Sequence, residues 1–193
     1  KRDRLYVKQY EEQTNLRAYL LLDASASMGY RHTGPMTKLE YACYLAATLA
    51  DLMMTQHDAF GLIVYGDRVR EHVPPRQGRG HLGAVLERLE AVRPEGTTDL
   101  AATFHELAET MKRRALVIVL SDLFGDPAEV TLALARFRKQ HHDVILFHVL
   151  DPTEIDFPFN KGAQFEDMET HETITIDPRA MAEVEESLSA WLG

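Results

Sequence analysis

A chain of 193 residues with 45% hydrophobic and 26% charged side chains has the length and composition of one soluble globular domain. Its formal net charge of −9 argues against a nucleic-acid binder, which needs a basic face for the phosphates, and disfavours docking on an anionic membrane. The single cysteine, Cys43, excludes an intrachain disulfide and a cysteine-rich zinc cluster.

The chain opens on "KRDRLYVKQYEEQT", with no initiator Met and no signal peptide, and so reads as a cut-out from a longer protein. "AYLLLD" (18–23) predicts a strand that ends in Asp23, with Ser25 and Ser27 just beyond it. "TKLEYACYLAATLADLMMTQ" (37–56) predicts an amphipathic helix in which Cys43 is a packing residue. "FGLIVYGD" (60–67) predicts a second strand, and "RVREHV" (68–73) an antiparallel edge strand joined to it by a hairpin around Gly66–Asp67. Pro74–Pro75 reads as a surface loop. Helices are expected over 81–92 and 99–114, a strand over "ALVIVLSD" (115–122), a helix over 126–141 and a strand over "DVILFHVLD" (143–151). The stretch 151–162 reads as surface loop, 164–177 as a polar and peripheral hairpin, and 178–192 as a closing helix.

Near-continuous apolar runs suit strands covered on both faces, and strands alternating with helices imply right-handed crossovers. The expected fold is a three-layer αβα domain over 1–193, with a doubly wound, mostly parallel sheet and one antiparallel edge. No run approaches the roughly 20 apolar residues of a membrane span, so a cytoplasmic location is expected.

In such a sheet, ligands sit outside the carboxyl ends of the strands. Asp23 and Asp122 both end apolar strands and arrive at that edge, beside Ser25 and Ser27 on one loop and "EGTTD" (95–99) on another. Carboxylates and hydroxyls from separate loops suit a hard cation, and magnesium characteristically takes one or two carboxylates and keeps several waters. The alternative is turn chemistry: Asp23 and Ser25 cap a turn, and Thr97 or Thr98 caps the helix from Asp99.

"DASAS" (23–27) resembles the D-x-S-x-S motif of von Willebrand factor A-like domains, the metal-ion-dependent adhesion site. "DRLYVKQYEEQTNLRAYLLLDASASM", "TKLEYA" and "LDPTEIDFPF" are similar to the bacterial family called domain of unknown function 58, over essentially the whole chain. That resemblance implies a magnesium or manganese site made by Asp23, Ser25, Ser27, Thr98 and Asp122. It also implies the C-terminal part of a longer protein, since the family's usual sequence continues upstream. It implies a protein partner that supplies a glutamate or aspartate to the metal, and an association with a MoxR-type AAA+ ATPase in assembly or chaperone-like remodelling. The family's common motif has glycine where this chain has Ala26; alanine lacks glycine's freedom at positive φ, so a less permissive loop is expected.

Other motifs carry less. "GRGHLG" (78–83) spells a dinucleotide-binding pattern, but "HVPPRQ" separates it from any strand, so the glycines are expected to start a helix. "HELAE" (105–109) lacks the second histidine of a zinc protease and reads as a solvated helix face, and adjacent His141–His142 read as loop residues. No G-x-S-x-G elbow surrounds Ser25, Ser27 or Ser121. An aspartyl phosphotransferase built on Asp23 is the enzymatic alternative, but Ser25 stands where such enzymes place a second carboxylate, and no lysine stands in an evident phosphate-holding loop. A metal-free scaffold is the other alternative. The expectation is a metal-dependent binding module without catalysis.

Overall fold

The computed structural model of the chain describes residues 16–156, 158 and 163–176. At its centre runs β1 (Arg17–Asp23), whose Leu20, Leu21 and Leu22 are all fully buried. Alternate residues of a strand face opposite sides, so three consecutive buried leucines mean that both sides are covered. β2 (Ala59–Tyr65) and β4 (Leu116–Ser121) flank β1 in parallel register, with Leu22 opposite Val64 on one side and Leu120 on the other. β3 (Val69–Arg76) pairs antiparallel with β2, and β5 (Asp143–His148) pairs parallel with β4. The order β3-β2-β1-β4-β5 is the doubly wound, mostly parallel sheet with one antiparallel edge that the sequence predicts.

α1 (Lys38–Thr55) and α2 (Arg79–Ala91) cover one face, packing Leu39, Ala42, Ala46 and Val85 on Leu20, Leu22 and Leu62. α3 (Leu100–Thr110) and α4 (Pro127–Lys139) cover the other, with Phe104 and Phe137 against Leu21, Val117 and Val119. Each helix starts where its sequence allows. Thr37 and Glu40 form a reciprocal capping box at α1, at 3.1 and 2.8 Å. Asp126 caps α4 with Pro127 in its first turn. Gly78, at φ +99°, precedes α2, so the "GRGHLG" glycines do begin a helix.

Two loop expectations are corrected. Pro74 and Pro75 lie inside β3, which tolerates them as an edge strand with a register shift opposite Phe60–Leu62. A side chain at Gly61 would meet the Val73 carbonyl at 2.5 Å, so only glycine permits that close approach. Residues Pro152–Asp156 form a short helix, α5, because the Asp151 carboxylate takes Thr153 N–H and its hydroxyl at 2.9 and 2.6 Å. His142 lies in a loop, as expected, between the end of α4 and the start of β5, but it is buried. Its Nδ1 accepts from Ala115 N–H at 3.2 Å, and its ring meets Phe137 edge-on at 6.1 Å; burial holds its pKa below the usual histidine value. β6 (Ala163–Glu166) and β7 (Thr173–Ile176) make a separate two-stranded hairpin. The helix expected over 178–192 lies outside the described residues.

Candidate functional site

Because β1 and β4 are parallel neighbours, their carboxyl ends deliver Asp23 and Asp122 to the same edge of the sheet. Both are buried, at 1% and 3% exposure, where an ionised carboxylate is costly unless compensated. Asp23 Oδ2 accepts from Ser121 Oγ at 2.7 Å, and Oδ1 accepts from Ser25 N–H at 2.9 Å. These bonds fix its orientation without neutralising it. Burial, with the charge of Asp122 beside it, pushes the Asp23 pKa up to about 6 against the pull of those hydrogen bonds. Ser121, weighed in the sequence only as a nucleophile, is a positioning residue for Asp23. Its place in "LSD", one step before a strand-ending aspartate, was the available signal.

The loop after β1 turns through a short 3₁₀ segment, Ala26–Gly29, that brings the Ser25 and Ser27 hydroxyls to 3.0 Å from each other. Ala26 is not among the residues with positive φ, so the glycine of the common motif is not required here. The second loop is tied to the first by the backbone: Glu95 N–H donates to Ala24 O at 3.1 Å, and Ala26 N–H to Gly96 O at 3.0 Å. Gly96 makes this turn at φ +66°. Arg70, from the edge strand β3, clamps both loops by donating to Ala24 O at 2.8 Å and Glu95 O at 2.5 Å.

The two threonines differ in their surroundings. α3 is capped by Asp99, whose carboxylate accepts from Ala102 N–H at 2.8 Å, so neither threonine serves as the cap. Thr97 is exposed. Thr98 is half-buried and donates its N–H and hydroxyl to the two carboxylate oxygens of Glu169, at 3.1 and 3.3 Å. Glu169 comes from the β6–β7 turn, so the hairpin expected to be peripheral reaches the site. Burial raises its pKa, opposed by Thr98 and by the Ser27 hydroxyl, with the charge of Asp122 raising it further.

Asp122 leaves β4 through a sharp bend in which Leu123 takes φ +53°, a conformation that costs a side-chain-bearing residue about 1 kcal/mol or more. Asp122 Oδ1 accepts from Phe124 N–H at 3.2 Å; Oδ2 accepts from Lys38 Nζ at 2.8 Å. Lys38 enters from the first turn of α1, is 4% exposed, and also pairs with Glu154 at 2.7 Å. It is the lysine that sequence inspection did not find, because it lies in a helix rather than a phosphate-holding loop. Asp151 supports this side by accepting from His32 and Gly34 N–H at 3.0 and 3.4 Å. Burial would raise its pKa, but these bonds and those from Thr153 hold it well below the usual carboxylate range.

Among the described residues no three His, Cys, Asp or Glu side chains gather closely enough to hold a metal by themselves. The five expected residues offer another donor set, two carboxylates and three hydroxyls, with no nitrogen or sulfur. That set suits magnesium or manganese rather than zinc. Among the described residues, the carboxylates of Asp23, Asp122 and Glu154 gather about one ammonium, that of Lys38, and a cation relieves that imbalance. The residues fit.

A family model described as "Protein of unknown function DUF58" matches residues 1–187. The uncharacterized protein Rv1480 of Mycobacterium tuberculosis is 27% identical over 178 residues, which cover 90% of this chain and 55% of that protein. The uncharacterized protein MAV169 of Mycobacterium avium is 32% identical over 111 residues, 54% of this chain and 64% of that protein. The chain thus spans little more than half the length of the curated relatives it matches. Among solved structures, the conserved hypothetical protein BatB from Bacteroides thetaiotaomicron superposes with a TM-score of 0.60 at 18% identity, covering 91% of this chain and 87% of that one. An aerotolerance-related membrane protein from Bacteroides fragilis superposes at 0.61 and 19%, covering 90% and 88%. These likenesses show the fold. No helix among the described residues is long and apolar enough to cross a membrane.

Proposed function

The chain belongs to the DUF58 family, and on that premise we propose that it is a divalent-cation-dependent protein-binding module. Asp23, Ser25, Ser27, Thr98 and Asp122 hold one magnesium or manganese ion. The bound ion supplies positive charge and an exchangeable position to which a partner's glutamate or aspartate binds. Asp122, already engaged by Lys38 and Phe124 N–H, acts through water, while the hydroxyls of Ser25, Ser27 and Thr98 are direct ligands. The observation that carries this reading is the burial of Asp23 beside Asp122 at the carboxyl edge of the sheet, with hydroxyls on two adjoining loops.

The partner we propose is a MoxR-type AAA+ ATPase, in assembly or chaperone-like remodelling on the cytoplasmic side. The chain's acidity repels a diffuse acidic surface, so recognition falls to one well-placed carboxylate. Association of the purified full-length protein with a MoxR-type ATPase from the same genome is expected in magnesium, and is lost in chelator and in Asp23→Ala. Association that persists in chelator, with the metal shown to be removed, moves the interface elsewhere and leaves the site structural.

Lys38 gives some weight to a second reading, an aspartyl phosphotransferase with Asp23 as nucleophile, because an ammonium now stands near the carboxylates. Against it, both contacts of Lys38 are taken by Asp122 and Glu154, and Ser25 bonds Ser27 where a second acid is needed. A burst of phosphate from an activated phosphomonoester is the result that would favour this reading.

A further inference from the structure

The most informative contact in the molecule crosses 71 residues of sequence, from Thr98 to Glu169. Among the described residues, the hairpin that carries Glu169 pairs with no strand of the main sheet. Its turn is built from within to present that one side chain. Asp167 accepts from Glu169 N–H at 2.7 Å and Thr170 N–H at 3.1 Å, and its own N–H donates to Glu172 O at 2.8 Å. His171 closes the turn at φ +61°. Met168, beside Glu169, lies against Gly29, within 3.7 Å of where a side chain there would begin.

The result is a carboxylate from this chain held on the hydroxyl of Thr98, with the Ser27 hydroxyl also against it. Those two hydroxyls come from the two loops that would share a cation. A partner's glutamate, coming to complete the coordination, would have to reach the same place. Resting on the metal-binding reading above, we propose that Glu169 is the site's own stand-in for the partner carboxylate: it completes the site in cis, and a partner binds by displacing it. A two-stranded hairpin is marginal by itself, so the seat of this one on the site loops depends on contacts such as the Thr98 hydrogen bonds and the packing of Met168 on Gly29. The hairpin thereby sets a threshold. A weak acidic ligand does not open the site, whereas a carboxylate backed by a larger interface does.

The test uses manganese alone as probe, with the full-length protein, and reads both affinity and the relaxation of bulk water by bound manganese. With Glu169 on the ion, one coordination position is closed to water. Glu169→Gln is expected to weaken manganese binding about tenfold and to raise the relaxation per bound ion by the share of one additional exchanging water. Asp167→Asn, which loosens the turn without altering a carboxylate at the site, is expected to shift both readings in the same direction but less. Circular dichroism confirms that each variant is folded. Manganese bound with equal affinity and equal water relaxation in wild type and both variants overturns the role of Glu169 and leaves the metal site standing. No manganese binding by the wild type overturns the metal site, and this inference with it.

Discussion

Lys38 Nζ lies 2.8 Å from Asp122 Oδ2 with both side chains almost wholly buried, at 4% and 3% exposure. One ammonium is thus shared between Asp122 and Glu154, and none is left for Asp23. The relationship places compensating charge at Asp122, while Asp23 is held by hydrogen bonds from Ser121 and Ser25.

Removing that ammonium leaves a buried carboxylate unpaired. Lys38→Met is therefore expected to destabilise the cation-free protein by about 3 kcal/mol, the usual cost of breaking one side of a buried pair. Saturating magnesium should recover part of the loss by supplying charge next to Asp122. Urea unfolding in chelator and in magnesium measures both. An equal loss in the two conditions would show that no cation approaches Asp122.

Asp23 gives the pH dependence. Its folded pKa of about 6 lies above the ordinary 3.8, so the folded state holds its proton more tightly than the unfolded chain. That contribution to stability is complete below about pH 4 and is lost as the pH rises through 6. In chelator, the melting temperature should drift down across this window. A cation competes with the same proton, so manganese affinity should climb between about pH 5 and 7. Affinity flat over that range would place the ion away from Asp23.

Asp151 behaves in the opposite sense. Its folded pKa is held low, so its contribution is present above the usual carboxylate range and lost only as the pH falls through the depressed value. Asp151→Asn should lower the melting temperature at neutral pH and converge with wild type in strong acid. A constant difference at all pH values would mean that shape, not charge, carries the effect.

The threonines separate cleanly. Thr98→Ala should weaken manganese binding, whereas Thr97→Ala, at an exposed position with no cap to lose, should leave both binding and stability unchanged. Asp99→Ala, which removes the true cap of α3, should cost about 1 kcal/mol of stability. Calorimetric titration and thermal melts of the three variants make the comparison. Weaker binding in Thr97→Ala than in Thr98→Ala would move the ligand by one residue.

The central strands were legible in the sequence because their burial is two-sided. β1, β2 and β4 are unbroken apolar runs because both faces are covered, and Asp23 and Asp122 stand out as the polar residues that end two of them. Pro74 and Pro75 misled because an edge strand needs only one side of its hydrogen bonding, a fact about sheet position rather than composition. The capping alternative for Thr97 and Thr98 turned on which oxygen caps α3, and Asp99 supplies that cap through one local bond. Lys38 and Glu169 were illegible for a different reason. Each is a common charged residue in an ordinary polar setting, and each acquires meaning only from a neighbour 84 or 71 positions away.

The central claim is that Asp23 and its neighbours hold a hard divalent cation. Titrating the full-length protein with manganese by calorimetry, beside Asp23→Ala, tests it most directly. A single site in the wild type, displaceable by magnesium but absent from a folded Asp23→Ala, is the predicted result. Equal manganese affinity in the two proteins, or no binding by either, would contradict it.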